Sequence, residues 1–332
     1  MSTAISNPGM QGRHSARTAV YAALAGNIAV AITKLAAAAM TGSAAMFSEA
    51  VHSVVDCGNE GLILYGYRRA VRRPDLVHPF GFGRELYFWS FIVALLLFAL
   101  GAGVSAYQGI RHVLAPQPLE YTQISYIVLA LSFMFESASW VVGWRAFAKA
   151  RGNLGFWKAF RQSKDPPAFM VLFEDSAALI GIAIAMIGIA AAEQLQMPVL
   201  DGVASILIGI VLAITAILLA IESKSLLIGE RATPALVEAI CNIAQEQHGV
   251  VHANSALTAQ LAPDQAMVAL SIEFDPTLFT EQIEECVALI EEKVRLAHPD
   301  VVALFVKPQT LEQFERARRK RFGNYLFSAT PR

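Results

Sequence analysis

The residues best able to do chemistry sit inside an otherwise apolar stretch. Glu49, His52, Asp56 and Glu60 recur at three- and four-residue spacing within residues 42–67. At about 100° per residue they fall within an arc of roughly 80°, a single polar stripe on one helix. His52 and Asp56 are an i, i+4 pair (HSVVD), so their side chains can meet at one point. A second apolar stretch, 166–192, contributes Glu174 and Asp175 in FEDSA. An imidazole beside two carboxylates is a ligand set suited to Zn²⁺, and mixed N/O ligation also accepts Mn²⁺, Fe²⁺ or Co²⁺. Nucleophilic chemistry lacks its parts: the chain has no G-x-S-x-G, no H-E-x-x-H and no P-loop. Gly81-Phe82-Gly83 in HPFGFGRE is glycine-rich, but no strand precedes it, so it makes a poor phosphate loop.

These residues need helices to hold them, and the composition says in what medium. Of 332 residues, 55% are hydrophobic and 16% charged, against ~25% charged in a soluble domain. That balance argues against a cytosolic enzyme, a disordered chain and a nucleic-acid binder. The three scattered cysteines suggest no disulfide framework. A bilayer core of about 30 Å requires about 20 apolar residues per helix. Six stretches are candidates: 18–40, 42–67, 86–110, 121–144, 166–192 and 202–221. Long buried helices of a soluble protein are the alternative, but they would leave no amphipathic faces to cover such a core.

Basic residues orient the spans. Arg13 and Arg17, then Arg68, Arg69, Arg72, Arg73 and Arg84, then Arg145, Lys149, Arg151, Lys158, Arg161 and Lys164 fall on one side. Arg111 stands nearly alone on the other. Both termini are therefore expected in the cytoplasm, in a multi-pass protein of the cell (inner) membrane, with no signal-peptide pattern at the start. Asp56 precedes Arg68 by twelve residues and Asp175 follows Lys164 by eleven. Both then lie about 16–18 Å from the cytoplasmic face, near mid-membrane.

An ionisable group there costs roughly 2.5–3.5 kcal/mol on insertion scales, so it usually faces an interior site. A polar contact between helices is the competing reading for any one of them. Glu49, Glu60 and Glu136 are candidates for a proton path. Lys34 is expected near the outer edge, snorkelling or paired with an acid. Asp201 reads as an end cap rather than a ligand.

After Leu227 the pattern becomes that of a soluble domain. A helix over 233–246, strands over 250–261 and around Val268–Leu270–Ile272–Phe274, a helix over 280–297 and a strand over 301–306 are predicted. That order suits a small α+β ferredoxin-like domain. The organisation is thus a polar segment 1–16, a six-helix transmembrane domain 17–228, a cytoplasmic domain 229–312 and a basic tail 313–332. The tail's RARRKR reads as a solvated end rather than a lipid site.

Taken in order, these features resemble the cation diffusion facilitators, a family of zinc and other divalent-metal transporters. The resemblance rests on TGSAAMFSEAVHSVVDCGNE, HPFGFGRE, FEDSA, LDGVASILIG and the C-terminal α/β pattern. It implies six transmembrane helices, a cytoplasmic ferredoxin-like domain, a homodimer and exchange of a metal ion for protons. The family's mid-membrane site takes an i, i+4 pair from each of the second and fifth spans. His52 and Asp56 match the first pair and Asp175 the second member of the other, whose first member falls on Val171. Valine cannot bind metal, so Glu174, a water or another helix supplies the fourth ligand, or the metal is not zinc. FEDSA preceded by SKDPPAF resembles a branch that includes a mitochondrial zinc-transporter type.

In the loop after the second span, Asp75 and His78 match two family ligands, while Phe82 takes the third position. Of the family's cytoplasmic histidines, His252 matches one and the others are missing, which implies a domain that dimerises without a metal cluster. The implied function is efflux of a divalent cation, zinc foremost, against protons. Its implied partners are metal ion, protons, membrane lipid and a second copy, with no cofactor beyond the transported ion and no nucleic acid. Transport of Mn²⁺, Fe²⁺ or Co²⁺ is one alternative. Another is a non-transporting metal sensor or scaffold, which Val171 favours, and the most distant is an intramembrane hydrolase.

Overall fold

Apolar runs uninterrupted by proline form long helices. The computed structural model describes residues 8–323, so the expected segments 1–16 and 313–332 lie partly outside the described residues. The long helices are α1 (Pro8–Thr41), α2 (Ala44–Ala70), α5 (Thr122–Arg151), α7 (Pro166–Gln194) and α8 (Val199–Ile228). Each has 27–34 residues, or about 40–50 Å of rise. The run between α2 and α5 is continuous but not uniform. It consists of α3 (Arg84–Leu96), a π-helical turn (Leu97–Ala102) and α4 (Gly103–Leu114). A short helix, α6 (Phe156–Gln162), precedes α7.

Among the described residues, five helical stretches are long and apolar enough to cross a membrane: Leu24–Thr41, Arg84–Leu114, Thr122–Lys149, Phe169–Gln194 and Val199–Ile228. The expected sixth, 42–67, forms α2 at sufficient length, but its acids lower its hydropathy. The chain divides into two units, one holding residues up to 68 and 86–224, the other residues 69–85 and those from 225 onward.

In the first unit the core is built by Ala45, Met46 and Ala50 of α2, Ile182, Ala185 and Ile189 of α7 and Leu212 of α8. Small residues set the closest approach. A Cβ at Gly109 of α4 would lie 2.7 Å from the Gly202 carbonyl oxygen of α8. Beside this contact, Ser205 donates to the Ser105 carbonyl at 2.8 Å and its Oγ lies 2.7 Å from that of Ser48. Close backbone contact with hydroxyl bridges is a usual way for helices to associate in lipid.

Asp201 is an end cap, but of α2 rather than of the helix it begins. It accepts from Ser43 Oγ at 2.6 Å and from the Ala44 and Ala45 amides at 2.5 and 3.4 Å. The carboxylate thus meets the positive end of α2. Asp201→Ala is expected to cost about 2–4 kcal/mol, since it removes charge-assisted bonds from a buried helix start. A thermal melt of the detergent-solubilised protein measures this, and an unchanged midpoint would contradict it.

The second unit is α+β. Thr233 caps α9 (Pro234–Gln245) by accepting from the Leu236 amide. β1 (Val250–Ala262) pairs antiparallel with β2 (Gln265–Phe274), and β2 pairs parallel with β3 (Val301–Pro308) after α10 (Thr280–Ala297). The predicted alternation on β2 is present: Val268, Leu270 and Ile272 are fully buried against Ile240, Ile290 and Val294.

The start of the basic tail is helical (α11, Leu311–Phe322) and has no buried residue. Thr310 caps it, and Glu312–Arg316 and Glu315–Arg319 pair one turn apart at 3.0 Å. In the 69–85 segment, Gly81 has φ +80°, and a Cβ at Gly83 would lie 2.7 Å from Ala262 Cβ. The glycines of HPFGFGRE therefore serve a turn and a close packing contact.

Candidate metal site

Helices α1, α2, α5 and α7 enclose a cavity of about 60 Å³. Its acidic lining is Asp56 and Glu60 from α2, Glu136 from α5, and Glu174 and Asp175 from α7. Neighbouring amides and hydroxyls hold most of these carboxylates. Asn59 donates to Glu174 at 3.0 Å, Ser139 to Asp175 at 2.8 Å, and Asn27 to Glu60. Val171 also lines the cavity, at the position where the family pattern expects a ligand.

His52 is fully buried beside this cavity and not in its lining. Its Nδ1 stands 3.4 Å from Asp56 Oδ1. Among the described residues, neither ring nitrogen has a hydrogen-bond partner, and neither does Asp56 Oδ1 or Asn59 Oδ1. Buried polar atoms without partners are costly, and nitrogen and carboxylate lone pairs are donors that a divalent cation would use. Among the described residues, however, no three His, Cys, Asp or Glu side chains converge closely enough to hold a metal ion. The cavity thus gathers the acids without closing them around a point.

Of the candidate proton-path residues, Glu60 and Glu136 face the cavity. Glu49 lies two turns away on α2, fully buried and paired with Lys34 at 3.2 Å. Of the two expectations for Lys34, snorkelling or pairing with an acid, the structure has the pairing: Lys34 is completely buried against Glu49 and also donates to Ser53 at 2.9 Å. In the second unit, Asp75 and His78 are exposed and 3.2 Å apart. Asp75 accepts the Val77 and His78 amides in a tight turn, and these bonds hold its carboxyl below the usual carboxylate range. Phe82 packs against the His78 ring with centroids 4.4 Å apart, so a phenyl group stands where a third ligand would be. His252 is exposed on β1.

Sequence reasoning missed Asn27, Asn59 and Ser139. Asn59 lay in view, three residues beyond Asp56 on the same stripe. Asn27 and Ser139 carried no such signal, because only helix packing brings them to the acids.

The first unit thus combines five candidate membrane spans among the described residues with an acid-lined cavity, and the second unit is α+β. The cation efflux transmembrane domain model matches residues 20–228, and the chain belongs to the cation efflux family. It is an integral, multi-pass membrane protein. It is 32% identical over 248 residues to the mitochondrial proton-coupled zinc antiporter SLC30A9 of Mus musculus, covering 74% of this chain and 44% of that protein. The Homo sapiens counterpart matches equally. Metal tolerance protein C4 of Arabidopsis thaliana is 32% identical over 223 residues, covering 65% of this chain and 48% of that one. The chain thus spans about half the length of these relatives.

Proposed function

We propose that the protein moves a divalent metal ion, zinc foremost, out of the cytoplasm in exchange for protons. The observation that carries this reading is one cavity among the membrane helices lined by Asp56, Glu174 and Asp175 with Glu60 and Glu136. Its membership of the cation efflux family and its likeness to proteins named proton-coupled zinc antiporters support it. In this reading α2 is the sixth span, both termini face the cytoplasm, residues from 229 form the cytoplasmic domain, and two copies associate in the membrane.

Metal binding needs ionised carboxylates and a neutral imidazole, so a loading ion displaces protons and returning protons favour release. The helices then expose the site to each side in turn. His52, Asp56 and Asp175 are the assigned ligands, reached by closing the loose cavity on the ion. Glu174 supplies the oxygen that Val171 cannot. Glu174→Gln keeps the shape and loses the charge, and about a tenfold weaker Zn²⁺ dependence of transport is expected. An unchanged dependence would remove Glu174 from the site.

The deciding experiment is uptake by proteoliposomes of Zn²⁺, Mn²⁺, Fe²⁺ and Co²⁺ in turn, with an internal pH dye. Metal entry with opposed proton movement is expected, with zinc fastest. The second reading, a sensor that binds metal and moves none, is favoured by Val171 and predicts binding without flux. The cell membrane is the proposed location, whereas the relatives' name says mitochondrial; loop charges set only the orientation, and fractionation of the native protein separates the two.

A further inference from the structure

The metal cavity has a cation of its own at its edge. Lys34 Nζ lies 3.2 Å from Glu49 Oε2 and 2.9 Å from Ser53 Oγ, and all three residues are buried. Ser53 lines the cavity, as does Val30, one turn before Lys34 on α1. Asp56 and Glu136 line the same cavity as Ser53, to which Lys34 donates. Glu49 is itself held in a recess. A Cβ on Gly181 of α7 would meet Glu49 Oε1, so the carboxylate lies close against the α7 backbone there.

Lysine carries a compact charge on a flexible four-carbon stem. From Ser53, a shift of about one helical turn, ~5 Å, carries it along α2 to Asp56. We propose that Lys34 is a tethered cation that competes with the metal ion for the cavity carboxylates, and that Glu49 parks it outside. The proposal rests on the reading of the cavity as a metal site. The pairing with Glu49 and Ser53 is the parked position, and the step from there onto Asp56 is the one that competes with a dication. Lys34 is a positioning residue that sets affinity and helps eject the ion, without ligating it.

The test is calorimetric titration of the detergent-purified full chain with Zn²⁺ alone, with thermal melts in parallel. Lys34→Gln tightens zinc binding by about tenfold, because the competing charge is gone. Glu49→Gln weakens it by about tenfold, because the released ammonium settles on Asp56. A merely structural pair would lower affinity in both variants. Removing one member of a buried pair can also unfold the bundle, so the third arm is Lys34→Gln/Glu49→Gln, which leaves no orphan charge and is expected to bind more tightly than wild type. Equal or weaker binding by that double variant overturns the proposal, as do single variants that shift affinity in the same direction. A wild-type chain that binds no zinc overturns the metal reading itself. Zinc binding by wild type with unmoved variants overturns only the role of Lys34.

Discussion

Asp56→Ala is expected to abolish metal-driven proton movement in proteoliposomes, with a loss of at least about 100-fold in rate, beyond the effect of losing a supporting residue. Asp56 is where the site's parts meet. It lines the cavity, its Oδ1 faces His52 Nδ1 at 3.4 Å, and that oxygen has no hydrogen-bond partner to lose. Alanine therefore removes no hydrogen bond and only the 3.4 Å contact with His52, so the fold should persist while the function fails. Asp175→Ala should lose as much transport but also some stability, since Ser139 donates to Asp175 at 2.8 Å. Asp75→Ala is the contrast. Its carboxylate serves a turn in an exposed loop beside Phe82, and transport should remain near wild type. Wild-type flux in Asp56→Ala would rule out the proposed site.

The second large effect is structural. Gly109→Val should prevent α4 from docking on α8, at a cost of about 3 kcal/mol or more, because the collision is with backbone and no rotamer relieves it. The added Cβ would stand 2.7 Å from the Gly202 carbonyl oxygen and 2.8 Å from the Ile206 nitrogen. Ser205, which links Ser48 and Ser105 in the same layer, would be displaced with it. Gly58→Ala provides the opposite sign. Nothing lies within 4 Å of a Cβ there, so alanine should gain about 0.5–1 kcal/mol of helix propensity. Melting midpoints and gel-filtration profiles in detergent check both. A Gly109→Val variant with wild-type melting would mean that α4 and α8 do not approach so closely.

Much of the architecture was legible because its cause is local. Apolar length and the absence of breakers predict where the membrane helices run, and alternation on β2 predicts Val268, Leu270 and Ile272 as core. Local causes also went unnoticed at two places. The π-helical turn at Leu97–Ala102 leaves the hydropathy of its run unchanged, so periodicity did not show it. The helix after Thr310 was obscured by its many charges, although its cap and its i, i+4 pairs were there to read.

By itself the sequence determined the polar stripe of α2 and the acids of α7, since helical spacing places side chains on one face of a single helix, and its resemblance to the family marked the departure at Val171. Only the tertiary structure decided which of these groups share a space. It put Glu174 and Asp175 opposite Asp56 and Glu60, left His52 behind the lining, gave Lys34 to Glu49 and made Asp201 the cap of another helix. The reason is geometric. Helical periodicity fixes angles within one helix, whereas the rotation and approach of neighbouring helices depend on how small residues such as Gly109, Gly181 and Gly202 let them pack.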